Sequence, residues 1–427
     1  MSKAKRAKEW VKTALIVLLS ASTLVLGWHT GLFNDVFRAL PFFGNVAEVA
    51  VGTADSGFVD SAARPLVIVI THENGERFGI RYDTAMRNSV YDRTSGIMGE
   101  ALGSASEVRQ IDEARWRAAL QGAGVYFEYI MPVRLSVLDG WLGVRLPDPE
   151  WDRSVRRIFV AFGEDTNRLY FQDADSLHFY GADTASSALR AQEVGMYDAN
   201  GAVFAFETDI RAAHYAPYML LMPGSRHPVI RAASTGGLLD KLDSVLLAFG
   251  MQAFPTHSYI NDGVLVCVGA HFRVEVEPHG RVVYRRTDAL PAEDAQLNDG
   301  EIIERARVIT ADTIGRTAGE AEVFFEMIQR TEDTVVVTFC YYIMGGRVHM
   351  YEDGFAARIT FRAGLVTEAE LIFRNFTRLD YETVMLLPEK QTLAAAGGEF
   401  MLSFSDTGLE RLEPNWVKHS VESGDGL

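Results

Sequence analysis

The chain has 427 residues, 48% of them hydrophobic and 23% charged, and carries a formal net charge of −16. The first twelve residues hold five basic side chains against one acidic, so the remainder carries about −20 and repels nucleic acid and anionic lipid surfaces. That excludes a nucleic-acid partner, and a solvated acidic face accounts for the charge without a ligand.

The chain opens with Lys3, Lys5, Arg6, Lys8 and Lys12 around a single Glu9, and then from Thr13 to Asn34 no residue is charged, a run of 22. A helix needs about 20 apolar residues to cross the hydrocarbon core, and basic flanks stay on the cytoplasmic side. The reading is a basic tail (1–12) and one transmembrane anchor (13–34) with Trp10 and Trp28 at its interfaces, and a body outside. A cleaved leader is the competing reading; it calls for a shorter apolar region and small residues at its end, where this chain has Trp28, His29, Leu32 and Phe33. Within the span Thr13, Ser20 and Gly27 recur every seven residues and Thr23 falls near the same face. Small residues let membrane helices approach closely, so Ser20, Thr23 and Gly27 are the candidate partner-binding positions.

Residues 35–64 mix apolar side chains with Gly, Ala and Ser and lack a sustained period, which predicts a stalk. The remaining length implies two or three domains, assigned as 65–230, 231–298 and 299–427. In the first, two strands flank Asn74-Gly75, and a helix within "SEVRQIDEARWRAALQGAG" has Ser106 as candidate N-cap and Gly122 or Gly124 as stop. The strands "VYFEYIMP", "VRRIFVAFG", "RLYFQ" and "AVFAFE" follow. In the second, Leu238, Leu239, Leu242, Val245, Leu246 and Phe249 form one helical stripe, and the strands "VLVCVG", "FRVEVE" and "RVVYRR" come after it. A similar helix-plus-meander unit then recurs, with turns expected at Gly345-Gly346, Asp353-Gly354 and Ala363-Gly364. Pro388 and Gly397-Gly398 bracket a last helix. The fold class is α+β, with antiparallel sheets and packed helices.

Arg347, His349 and Tyr351 are expected to share a wet sheet face with Arg358, Arg362, Glu368 and Glu370. Cys267 and Cys340 lie in apolar strands of different units and are expected as buried, unpaired thiols. No G-x-S-x-G elbow, phosphate loop, H-E-x-x-H pair or dinucleotide fingerprint occurs. Ser225 and His227, two apart, lack any sign of a positioned base, and His271 and His279 lack further ligands at metal spacing. No catalytic residue, metal or cofactor is assigned.

The basic start and single anchor, then "ALQGAGVYFEYIMPVRLSVLDGWLG" and "VRRIFVAFGEDTNRLYFQDADSLHFYGA", resemble the YycH family. The ending "MLLPEKQTLAAAGGEFMLSFSDTGLERLEPNWV" resembles the carboxy-terminal part shared by YycH and its relative YycI. The resemblance implies a membrane-tethered accessory protein of Gram-positive bacteria, without catalytic residues, that adjusts the WalK (YycG) sensor histidine kinase governing cell-wall metabolism. It further implies contact through the anchor helix and a YycI- or YycH-like second regulator as partner. On the residues alone, a tethered binding protein for a wall fragment, lipid or peptide and a cell-surface hydrolase stay open.

Overall fold

The computed structural model describes residues 63–187, 194–210, 216–235, 237–249, 257–289, 297–350 and 354–419. The span 13–34, with Ser20, Thr23 and Gly27, lies outside them, as do Tyr351 and nearly all of the stalk. No helix among the described residues is long and apolar enough to cross a membrane. They belong to one compact unit, Asp60–Leu427.

The run VIVIT forms β1 (Val67–Thr71), buried at every position, which is the pattern of a strand covered on both faces rather than one. It pairs with β2 (Arg77–Ile80), and α1 (Thr84–Ser104) follows, opened by the Asp83 carboxylate accepting from the Met86 amide at 2.9 Å. Next come β3 (Ser106–Ile111), α2 (Glu113–Gln121), β4 (Gly124–Arg134), α3 (Leu135–Leu142), β5 (Ser154–Ala161), β6 (Thr166–Asp173) and β7 (Phe179–Ser187). The strands make a seven-stranded antiparallel sheet in the order β2-β1-β4-β5-β6-β7-β3. Val90, Ile97, Met98 and Leu102 of α1 cover one face, against Ile68, Ile70, Phe127 and Ile158. Trp116 and Leu120 of α2 cover the other with the short pair β8 (Val203–Phe204) and β9 (Leu220–Leu221), against Val67, Val69, Tyr126 and Phe159.

Ser106 is not the N-cap. The residues from 106 to 111 instead extend the sheet along β7, with a register shift between Ser106 and Arg109, and the helix begins only where Asp112 accepts from the Arg115 amide at 2.7 Å. Gly122 ends it as expected.

The second half runs β10 (Arg226–Ser234), α4 (Leu238–Ala248), β11 (His257–Asn261), β12 (Val264–Val268), β13 (Phe272–Val276), β14 (Arg281–Arg286) and α5 (Asp299–Asp312). It continues with β15 (Glu322–Arg330), β16 (Val335–Ile343), β17 (Gly346–Met350), β18 (Ala357–Arg362), β19 (Leu365–Ile372), β20 (Arg374–Met385), α6 (Glu389–Ala396), β21 (Glu399–Asp406), β22 (Arg411–Leu412) and β23 (Pro414–His419). Each long helix packs on the meander that follows it, α4 on β13 and β14, and α5 on β15, β16 and β18. Antiparallel pairing of β14 with β19, Val282 opposite Leu371 and Tyr284 opposite Ala369, merges the two meanders into one sheet. Among the described residues this sheet has eleven strands, ordered β11-β12-β13-β14-β19-β18-β16-β17-β21-β23 with β15 on β16. β17 and β21 run parallel, and β10 forms a small separate sheet with β20 and β22.

Leu242, Val245 and Leu246 are buried as the stripe in α4 predicts, whereas Leu239 is exposed. Asn298 and Glu301 cap α5 reciprocally, each side chain accepting from the other's amide at 3.0 Å. The hairpin between β16 and β17 turns one residue earlier than expected. Met344 (φ 49°) and Gly345 (φ 67°) form the turn, and Gly346 is already paired with Ile343, where a Cβ would meet the Phe404 ring at 2.7 Å. The Ala363-Gly364 turn is where the sequence puts it, with both residues at positive φ.

Candidate functional site

Charged residues inside apolar strands need partners, and the chain has several: Glu128 in β4, Arg156 and Arg157 in β5, Arg81 just beyond β2. The structure brings them to one seam, where the first sheet meets β21, α6 and the β16–β17 turn. Neighbours on a regular strand point to opposite faces, so Arg156 and Arg157 would diverge. A register shift between Val155 and Arg157, and another in β4 between Glu128 and Val133, let both guanidinium groups reach Glu128. Glu128, 3% exposed, lies 3.0 Å from Arg157 Nη2 and 3.1 Å from Arg156 Nη2. Arg156 Nη1 donates to Glu399 Oε2 at 3.0 Å, and the same carboxylate is 3.7 Å from Arg157. Burial disfavours charge on both arginines, but the two carboxylates outweigh it and hold both pKa values above the ordinary arginine range.

A second group adjoins it. The Tyr82 hydroxyl donates to Glu389 Oε1, the Met222 amide donates to Oε2 at 2.7 Å, and Arg81 Nη1 stands 3.7 Å from the carboxylate. Burial pushes the Glu389 carboxyl up; Arg81 and the two donors oppose that shift. His227 is wedged edge-on between the rings of Tyr82, at 5.1 Å, and Trp416, at 5.3 Å. Its buried Nε2 has no hydrogen-bond partner, and burial holds its pKa below 6.5. The imidazole packs between the two rings, and its Nε2 makes no hydrogen bond with Ser225. Between the two groups is a cavity of about 30 Å³ lined by Arg81, Glu128, Arg156, Glu399 and Gly345 together with apolar side chains.

These are closed ion pairs: the carboxylates are engaged by donors and the guanidinium groups stay protonated, an arrangement that fastens β4 and β5 to β21. Further buried pairs serve the same purpose. Arg87 meets Glu322, Arg77 meets Glu207 at 2.5 Å, and Arg374 holds Asp406 through two bonds of 2.8 and 2.7 Å.

The other residues singled out by sequence are scattered. Cys267 and Cys340 are both buried and unpaired. Burial raises both thiol pKa values, reinforced at Cys340 by Glu326, which disfavours the reactive thiolate. His271 stands 3.7 Å from Asp288 and His279 2.8 Å from Glu277, each with its own neighbouring acid. Among the described residues no cluster of three His, Cys, Asp or Glu side chains is arranged to hold a metal. On the sheet face expected to be wet, Glu368 and Glu370 pair across strands with Arg285 and Arg281, both at 2.8 Å, and Arg362 lies 3.3 Å from Asp333. Arg347 shares that face through its pairing with Tyr342, but it is half-buried there, reaching Glu326 at 2.6 Å and Cys340 Sγ at 3.3 Å. His349 is half-buried. The seam itself was not anticipated. Its only sequence signal is a charge within each apolar strand, such as the tandem arginines of "VRRIFVA", and that signal does not reveal the partner.

No protein-family model matches the chain, and no curated protein sequence matches it. Its structure is similar to the crystal structure of YycH from Bacillus subtilis, with a TM-score of 0.54 and 13% sequence identity, over 83% of this chain and 92% of that one. The described body thus has a YycH-like fold.

Proposed function

We propose that this chain is a membrane-anchored extracytoplasmic accessory protein that adjusts a sensor histidine kinase of the WalK/YycG type by protein–protein contact. The observation that carries the reading is the YycH-like architecture over 83% of the chain, found at only 13% identity. The uncharged stretch behind a basic start supports it, since it supplies an anchor with the amino end in the cytoplasm. The ion pairs that join Arg156 and Arg157 to Glu128 and Glu399 suit a protein that works by contact rather than turnover. In this reading Ser20, Thr23 and Gly27 form the anchor face that meets the kinase, and a YycI- or YycH-like protein is the second partner. The seam cavity of about 30 Å³ is far too small for a wall fragment, lipid or peptide.

Affinity capture of the detergent-solubilised full-length protein tests the reading, with a kinase expected as the retained partner. Replacing residues 13–32 by an unrelated spanning helix of equal length should abolish retention while the body still folds. Capture that returns no kinase under conditions preserving a known membrane complex overturns the reading. Unchanged capture after the exchange moves the contact from the anchor to the body.

A further inference from the structure

Arg81 is the least satisfied cation of the seam. It is buried, with 8% of its surface exposed, and a guanidinium offers five N–H donors. Its one hydrogen bond to a neighbouring side chain is long, Nη1 to the Tyr82 hydroxyl at 3.5 Å, and its Nε is buried with no hydrogen-bond partner. Glu389, the nearest carboxylate, is 3.7 Å away and has both oxygens engaged by Tyr82 and Met222. An unmade donor on a buried charged group is costly, so an acceptor is called for. Arg81 also lines the cavity of about 30 Å³. One ordered water needs roughly 10–15 Å³ of such space and two to four polar neighbours, and Arg81, Glu128, Arg156 and Glu399 supply those neighbours.

The charge at the seam decides what kind of acceptor enters. Three guanidinium groups, of Arg81, Arg156 and Arg157, face three carboxylates, of Glu128, Glu389 and Glu399. The cluster is neutral as it stands, and an anion in the cavity would lie against Glu128 and Glu399 with no unmatched cation to hold it. A neutral molecule that both accepts and donates fits. We propose that the cavity is a water site, holding one or two ordered water molecules that accept from Arg81 Nε and donate to the carboxylates of Glu128 and Glu399. The joint between the first sheet and β21 is then completed by solvent as well as by direct ion pairs. Gly345 belongs to the same construction: its turn closes the cavity, and a Cβ there would meet the Arg81 carbonyl oxygen at 2.6 Å.

A crystal structure of the full-length protein, grown with sodium bromide replacing chloride, tests the proposal. The expected result is one or two water peaks in the cavity, one of them about 3 Å from Arg81 Nε, with no anomalous bromide signal there. Empty density overturns the proposal, and so does a bromide peak. In the variant Arg81→Met the water nearest position 81 should be lost. If that variant folds and the peak persists unmoved, Arg81 is not its anchor and the assignment fails; if it does not fold, the unmodified protein alone decides.

Discussion

Two sets of arginine–glutamate pairs, alike in chemistry, hold different parts of this molecule. At the seam Arg157 and Glu128 have side chains 12% and 4% exposed, and on the outer face of the eleven-stranded sheet Arg285 and Glu368 are 50% and 38% exposed. The second pair can exchange its partner for water at little cost, whereas removing one member of the first strands a charge away from bulk solvent. Distance does not separate the two, since the contacts measure 3.0 and 2.8 Å. Burial does.

The comparison is broken most forcefully by Glu128→Ala, which takes a shared acceptor from two largely covered arginines. A loss of about 3–5 kcal/mol is expected in denaturant unfolding; a loss comparable to that of a surface pair would show that water reaches the seam freely. Next is Gly345→Ala, which forces a side chain onto a positive-φ turn and against the Arg81 backbone, at an expected cost of about 1–3 kcal/mol. A milder result would mean that the hairpin can withdraw from the seam. His227 sharpens the comparison through pH. Its folded pKa is depressed, so the unfolded chain takes up the proton first, and stability is full above 6.5 and declines as pH falls from 6.5 toward the lower folded value. His227→Phe should flatten that part of a plot of Tm against pH while keeping the ring contacts with Tyr82 and Trp416. The smallest effect belongs to Glu368→Ala, which should cost under about 1 kcal/mol and less still at high salt.

The elements of this fold were legible wherever a local rule was sufficient. Positive-φ turns at Ala363-Gly364, the Gly122 stop and the buried side of α4 are written in neighbouring residues. The misreadings share a cause, namely competition settled from outside the segment. Ser106 is a sound cap in isolation, yet its stretch completes a sheet edge against β7. Gly346 resembles a turn residue, yet it is needed where Phe404 and Leu402 press on the backbone. Arg347 holds the sheet face that its alternation predicts, yet Glu326 draws it in and leaves it half-buried. The seam was illegible for the strongest form of the same reason: Arg156 and Glu399 are separated by 243 positions. Ser20, Thr23 and Gly27 remain a reading of the sequence, since they lie outside the described residues.

That separation has a consequence for biogenesis. A chain emerging from its amino end can supply the strands of the run β1-β4-β5-β6-β7 long before residue 399 has been made, and until then Glu128 is the acid that Arg156 and Arg157 share. The contact with β21 can then form only after the strands of the first sheet have been made. Glu399 is contributed by the first residue of β21, so its arrival reports that nearly the whole chain has been delivered. Products truncated before that strand would leave Arg156 and Arg157 without the Glu399 carboxylate.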